Sequence, residues 1–141
     1  MQDMSKYKVL DPSPFGVLYT LESEPDLLIV VPVPGRKDTA ETASEGARLL
    51  YGYAASIGRP CGVVIIMESL LSQDPEARRV YQHIDKSKVY AAALVVESAL
   101  ARALGSFFIG LTRPLAPTRL FNSIDGGLAW LKTVRPSLEE E

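Results

Sequence analysis

The residues able to do chemistry in this chain follow directly after its apolar segments. They comprise two glutamates, three serines, an arginine and an amide: Arg36, Glu68, Ser69, Glu97, Ser98, Asn122 and Ser123. If the apolar segments are parallel strands, their carboxyl ends form one rim, where open α/β sheets bind ligands. This rim is therefore a candidate site for a small polar ligand, with Glu68 and Glu97 as the possible acid and base. Helix capping by Ser98 and Ser123 and rim positions for the glutamates explain the same residues, so we predict no catalytic residue.

No other constellation supports catalysis or metal binding. The chain has one cysteine, Cys61, and one histidine, His83. A single cysteine excludes an intramolecular disulfide and a thiolate zinc cluster, and a single histidine makes a catalytic triad or a typical metal site implausible. Glycine-rich phosphate-binding motifs are also missing from the sequence. We predict no metal and no cofactor, with Cys61 in the core and His83 on a solvated helix face.

Composition restricts the class of partner. The net charge is −2 over 141 residues, and the basic residues are scattered, so a nucleic-acid partner is not expected. The longest apolar run, 27–33, is far shorter than the ~20 residues that span a bilayer, and the first residues show no secretory pattern. We therefore expect a soluble, cytoplasmic protein without an integral membrane segment.

Hydrophobic periodicity predicts an α/β domain over residues 15–134, with a lead-in at 1–14 and a tail at 135–141. The predicted strands are 15–21, 27–31, 62–67, 89–96 and 118–122, and the helices are 38–57, 74–84, 98–111 and 123–134. Buried strands separated by helices indicate right-handed crossovers. The expected fold is a mostly parallel five-stranded sheet in the order β-β-α-β-α-β-α-β-α, its first strand being an antiparallel edge.

Helix-end signals support these boundaries. Asp38 and Glu41 resemble a capping box at the start of the first helix, and Gly58 fits its left-handed end. Asp74 followed by Pro75 opens the second helix with a carboxylate cap and a proline in the first turn.

The third helix has more apolar surface than one face can bury. Its spacing places Leu100, Leu104, Phe107 and Leu111 on one side. Successive residues point about 100° apart, so 107–109, Phe-Phe-Ile, cannot all face the sheet. Either the connection at 114–117 and a neighbouring helix cover the second side, which is commoner in monomers, or an apolar patch remains for a partner. The mid-helix Gly105 predicts a close backbone approach.

The third helix also carries a family resemblance. Its serine, arginine, glycine and two phenylalanines form the pattern Ser98, Arg102, Gly105, Phe107 and Phe108, followed by Leu-Ala-Trp-Leu at 128–131. With the element order over 15–134, this resembles the STAS superfamily, in particular small, mostly uncharacterised bacterial SpoIIAA-like proteins. The resemblance implies a SpoIIAA-like fold and a non-enzymatic regulatory or protein-interaction module. Lipid-exchange domains of the CRAL-TRIO kind are also relatives, which leaves a carrier of an apolar, lipid-like ligand as the alternative.

The resemblance does not extend to the phosphorylation switch of anti-sigma-factor antagonists. Where those proteins have an Asp-Ser-like motif, this chain reads Gln-Asp-Pro-Glu at 73–76, and proline has no hydroxyl group. We expect another protein as the partner, with Asp74, Glu76, Arg79, Phe108 and Ile109 as its binding surface. A homodimer is a further possibility, because a strand at 15–21 would expose an unpaired edge.

Overall fold

The computed structural model describes residues 4–13, 16–33 and 35–136, without the side chains of 11–13, 36 and 69–71. The helices in these residues are α1 (Ala40–Ile57), α2 (Pro75–Gln82), α3 (Ala99–Thr112) and α4 (Ile124–Val134), with a short 3-10 helix at Met67–Ser69. The strands are β1 (Lys8–Ser13), β2 (Gly16–Leu21), β3 (Glu24–Pro32), β4 (Arg36–Asp38), β5 (Cys61–Ile66), β6 (Leu70–Gln73), β7 (Val89–Val95) and β8 (Thr118–Phe121).

Six of these strands form one sheet in the order β1-β2-β3-β5-β7-β8. The first three pair antiparallel, and β3, β5, β7 and β8 pair parallel. Strands β4 and β6 form a separate parallel pair beside the carboxyl ends of the central strands. The central parallel strands, β5 and β7, are almost entirely buried because helices cover both faces of the sheet.

The core has a layer on each face of the sheet. Leu27, Ile29 and Val64 pack towards α4, whose Leu128 and Leu131 are buried against them. The opposite face carries α1, α2 and α3 and contains Leu28, Val63 and Leu94. None of the helices in the described residues combines the length and the apolar character that a membrane span requires.

The predicted element order is confirmed, but the predicted count of five strands is wrong. Residues 8–13, expected in the lead-in, form β1, so β2 is an interior strand and not the predicted edge. Asp11 and Pro12 are unfavourable in strands, so the sequence did not predict this one. An edge position tolerates proline because one side of an edge strand needs no N–H donor. Strands β4 and β6 are too short for their periodicity to be visible. Phe15 lies outside the described residues.

Of the two ends of α1, only the N-terminal one differs from the prediction. Thr39, not Asp38, is the N-cap: its hydroxyl accepts from the Thr42 N–H at 3.3 Å, and the Thr42 hydroxyl accepts from the Thr39 N–H at 2.9 Å. Asp38 is the last residue of β4 and turns its carboxylate inward. At the other end, Gly58 takes the predicted left-handed conformation, with φ of +73°.

Candidate functional site

Helix α3 packs on the sheet through small residues. Ser98 caps it by accepting from the Ala101 N–H at 3.0 Å, and the residues facing the sheet are the small ones, Ala101, Gly105 and Thr112. A Cβ atom on Gly105 would lie 2.8 Å from Leu120 Cδ2, which confirms the predicted close approach. Because the buried face of α3 consists of small residues, several of its large side chains lie on the side of the helix next to that face.

Three large apolar side chains of α3 therefore lie in solvent. Leu100, Phe107 and Leu111 are 62%, 59% and 51% exposed, and Leu104 between them is half-buried. The sequence correctly placed these four residues on one side, but that side is about 100° away from the buried one. We call Leu100, Leu104, Phe107 and Leu111 the α3 stripe.

The three residues of the Phe-Phe-Ile triplet differ in how far the rest of the chain covers them. Phe108 packs edge-to-face on Tyr81 of α2, with ring centroids 5.3 Å apart, and Ile109 packs against the core cluster that contains Met67 and Leu94. Phe107 stays exposed, as does Leu115 in the following connection, at 55%. Intramolecular cover thus reaches two of the three residues.

The predicted partner residues occupy two neighbouring helices. Asp74, Glu76 and Arg79 are exposed on α2, whereas Phe108 and Ile109 are half-buried on α3. Asp74 occupies the N-cap position of α2, with Pro75 next to it, but its side chain makes no capping hydrogen bond.

A groove separates α2 from α3. It encloses about 220 Å³ and is lined by Met67, Ser72, Gln73, Arg78, Leu104, Phe107 and Phe108. The Arg78 guanidinium lies 5.9 Å from the Phe107 ring centroid and donates to the Gln73 carbonyl at 3.2 Å. The groove therefore offers an apolar floor with one cation at its edge.

Asp38 holds the outer wall of this groove in place. Its buried carboxylate accepts from the Thr42 hydroxyl at 2.7 Å, the Tyr81 hydroxyl at 2.7 Å and the Gln73 amide at 3.2 Å. These donors belong to α1, α2 and β6, so one carboxylate joins three elements. Tyr81 supports Phe108, and Gln73 lines the groove. By accepting hydrogen bonds from Tyr81 and Gln73, Asp38 therefore fixes the positions of these two side chains.

The predicted acid of the rim, Glu68, is engaged as a cap of α3. Its Oε1 accepts from the Glu97 N–H and, at 3.1 Å, from the Ser98 N–H. Burial raises the pKa of Glu68, but these hydrogen bonds and one from the Ser98 side chain outweigh it and lower the pKa below its ordinary value. A carboxyl group held ionised in this way is poorly suited to donate a proton.

The remaining rim residues also serve the ends of elements. The Asn122 side-chain oxygen accepts from Arg102 of α3, and the Ser123 hydroxyl caps α4 by accepting from the Gly126 N–H at 3.0 Å. The side chains of Arg36 and Ser69 lie outside the described part of the structure. The structure thus assigns Glu68, Ser98 and Ser123 to helix starts.

A buried ionic cluster lies at the opposite end of the sheet. Asp26, 2% exposed, has Arg135 at 3.0 Å and Arg59 at 3.6 Å, and Arg135 also reaches Glu24 at 2.7 Å. Arg135, predicted to begin the tail, is therefore tied to β3. Residues 137–141 lie outside the described residues.

Cys61 lies near this cluster in the core, as predicted, and is fully buried. Burial, together with the Asp26 carboxylate, raises the pKa of its thiol to about 12. His83 is exposed at the end of α2, again as predicted. Across residues 4–13, 16–33 and 35–136, no group of three His, Cys, Asp or Glu side chains is arranged to hold a metal ion.

Sequence reasoning missed Arg78 as a lining residue of the groove, and Asp38 and Tyr81 as the residues that support its wall. Asp38 was interpreted as a helix cap, since a carboxylate before a helix is usually one. Arg78 and Gln73 line the groove because β6 runs into α2 beside α3, and no spacing in the sequence reports that α3 lies next to them. The unusually apolar α3 was the one available signal.

The architecture defines the class of protein. A crystal structure of an uncharacterised protein of the DUF3478 family from Shewanella loihica PV-4, described as having a SpoIIAA-like fold, is similar to this chain with a TM-score of 0.53. The similarity covers 93% of this chain and 99% of that one at 14% sequence identity, so it concerns the fold alone. The predicted SpoIIAA-like fold is confirmed.

The chain belongs to the family described as a domain of unknown function, DUF7793, whose model matches residues 53–135. The match runs from the second half of α1 to Arg135, so it contains the groove and the α3 stripe. No curated protein matches the chain.

Proposed function

We propose that this chain is a non-catalytic protein-interaction module that binds a protein partner through the α3 stripe and the adjoining groove. The observation that carries the proposal is the exposure of Leu100, Phe107 and Leu111, each more than half accessible on one side of a well-formed helix. Contiguous apolar surface of this kind is uncommon on monomers and marks interaction sites. A regulatory role without a phosphorylatable serine fits the same proposal.

The chemistry of the strand-end rim supports a binding role over a catalytic one. Glu68 accepts two backbone N–H groups at the start of α3, and Ser98 and Ser123 cap helices. An enzyme that used Glu68 and Glu97 as acid and base would have to release Glu68 from this capping role. We place the module in the cytoplasm, where a free thiol such as Cys61 stays reduced.

Affinity capture with stripe variants tests the proposal. A tagged chain, expressed together with an untagged copy in the native host, is compared with Phe107→Glu and Leu111→Glu. Val9→Glu is the matched control, because Val9 is 52% exposed on β1, away from α3. We expect at least one protein, the untagged copy included, to be recovered with the wild type and the control and lost with both stripe variants. Recovery of the same proteins in equal amounts from all four baits would refute the proposal.

The groove supports a second candidate, a carrier of a small apolar ligand. Its 220 Å³ is below the ~300–1,000 Å³ of typical ligand pockets, so a full lipid does not fit. A compact apolar molecule, with a carboxylate facing Arg78, is the largest ligand it suits. Native mass spectrometry of the purified protein would reveal such a ligand, and an unliganded mass after mild purification would argue against the carrier.

A further inference from the structure

We infer that the partner of the α3 stripe is a second copy of this chain, docked so that the two α3 helices pack antiparallel about a twofold axis. The inference rests on the proposed function, since it takes the stripe as the docking surface. It adds the identity of the partner and the geometry of the pair.

The spacing of the stripe is self-complementary. Leu100, Leu104, Phe107 and Leu111 are separated by four, three and four residues, which is the spacing of a helix–helix seam. An axis passing between Leu104 and Phe107 pairs each Leu100 with the Leu111 of the other copy. The same axis pairs Leu104 with Phe107, so every large side chain of the stripe gains an apolar partner.

Charge favours the antiparallel orientation. Within Ala99–Thr112 the only charged residue is Arg102, which is engaged with Asn122, away from the stripe. Exposed Glu97 precedes the helix and exposed Arg113 follows it. Antiparallel packing brings Glu97 of one copy near Arg113 of the other and opposes the two helix dipoles, whereas parallel packing brings like charges together.

The area available fits a weak dimer. Leu100, Phe107, Leu111 and Leu115 are each between 51% and 62% exposed. An aromatic side chain such as Phe107 contributes ~150–250 Å² when fully buried. With the leucines taken at the lower end of that range, the four offer on the order of 400 Å² per copy, about half of a standard interface side. With the groove wall added, we expect a dimer with a dissociation constant in the micromolar range.

The β1 edge of the sheet is a less suitable surface for a second copy. The exposed edge strand β1 contains Pro12 and exposed Lys8, and its pairing with β2 is irregular between Val9 and Asp11. Proline, lysine and irregular register are features that protect edge strands from pairing with other chains.

Analytical ultracentrifugation over about 5 to 500 μM tests for the dimer. We expect the wild type and Val9→Glu to dimerise with increasing concentration. Phe107→Glu should weaken dimerisation at least tenfold, because each dimer loses the contact twice. A wild type that stays monomeric over the whole range would overturn the inference. If stripe-dependent capture of a different protein persists in that case, the proposed function stands without it.

Disulfide trapping tests the orientation. In the antiparallel pair two Leu100 residues lie about 16 Å apart along the helix axis, far beyond the ~7 Å Cα limit of a disulfide, while Leu100 of one copy faces Leu111 of the other. The double variant Leu100→Cys/Leu111→Cys should form cross-linked dimers on mild oxidation, and the two single variants should not. Cys61 contributes no background because it is fully buried. Efficient cross-linking of Leu100→Cys alone, or none in the double variant, would overturn the antiparallel pair.

Discussion

Replacing the Asp38 carboxylate is expected to loosen the wall of the groove. Asp38 is 2% exposed and accepts hydrogen bonds from Thr42, Gln73 and Tyr81. Asp38→Ala removes the acceptor and leaves these three donors without it, in a region where α1, α2 and β6 meet.

The expected loss of stability depends on which hydrogen-bond partners each donor still has after the substitution. The Thr42 hydroxyl retains the Thr39 carbonyl at 3.1 Å, and Gln73 is half-exposed, so water can replace its partner. Tyr81 loses a 2.7 Å hydrogen bond to a buried carboxylate, a contact worth ~1.5–3 kcal/mol. We therefore expect Asp38→Ala to cost about 2 to 3 kcal/mol, which lowers Tm by roughly 10 °C in a domain of this size.

Two milder variants calibrate the result. Asp38→Asn keeps one acceptor oxygen and should cost less than Asp38→Ala. Tyr81→Phe removes only the hydroxyl and keeps the ring contact with Phe108, so a loss of about 1 kcal/mol is expected.

Urea unfolding followed by circular dichroism measures these free energies of unfolding. The expected order of loss is Asp38→Ala, then Asp38→Asn, then Tyr81→Phe. In the Asp38→Ala background, Tyr81→Phe should cost less than it does in the wild type, because the Asp38 acceptor is already gone. A loss below 0.5 kcal/mol for Asp38→Ala, or full additivity of the two changes, would refute the role assigned to this carboxylate.

Three further changes have defined outcomes. Gly62→Ala should lower the free energy of unfolding by about 2 to 4 kcal/mol, because the added Cβ would lie 2.6 Å from the Tyr90 hydroxyl, which donates to the buried Leu131 carbonyl. The control is Gly110→Ala on α3, where an added Cβ would meet nothing within 4 Å, so this change should be neutral or stabilising in the same urea unfolding experiment. The Cys61 thiol should resist alkylation at pH 8 in the native protein and react on unfolding, because its pKa is raised to about 12; rapid labelling of the native protein would contradict this. The folded pKa of Glu68 is lowered, so its contribution to stability is present above the ordinary pKa of about 4.3 and lost as the pH falls through the lower, folded pKa; Glu68→Gln should flatten the acid limb of the stability profile, and an unchanged limb would count against the capping role.

Much of the fold was predictable because its signals are local. The apolar runs at β3, β5 and β7 and the helical periodicities of α1 and α4 identify their elements within a dozen residues each. Strand β1 was not predicted, because Asp11 and Pro12 are poor strand formers and their place in the sheet depends on pairing with β2. The role of Asp38 as a buried acceptor was not predicted, because its donors include residues as far away in sequence as Tyr81.

The sequence by itself determined the order of the elements, the apolar character of α3 and the alignment of its four large side chains along one side. Only the tertiary structure decided which side of that helix meets the sheet. The apolar sector of α3 is about 200° wide, and the sheet covers roughly half of it. Ala101, Gly105 and Thr112 occupy the covered half because only small residues allow the helix backbone to come so near Val96 and Leu120. The α3 stripe is consequently left at the surface.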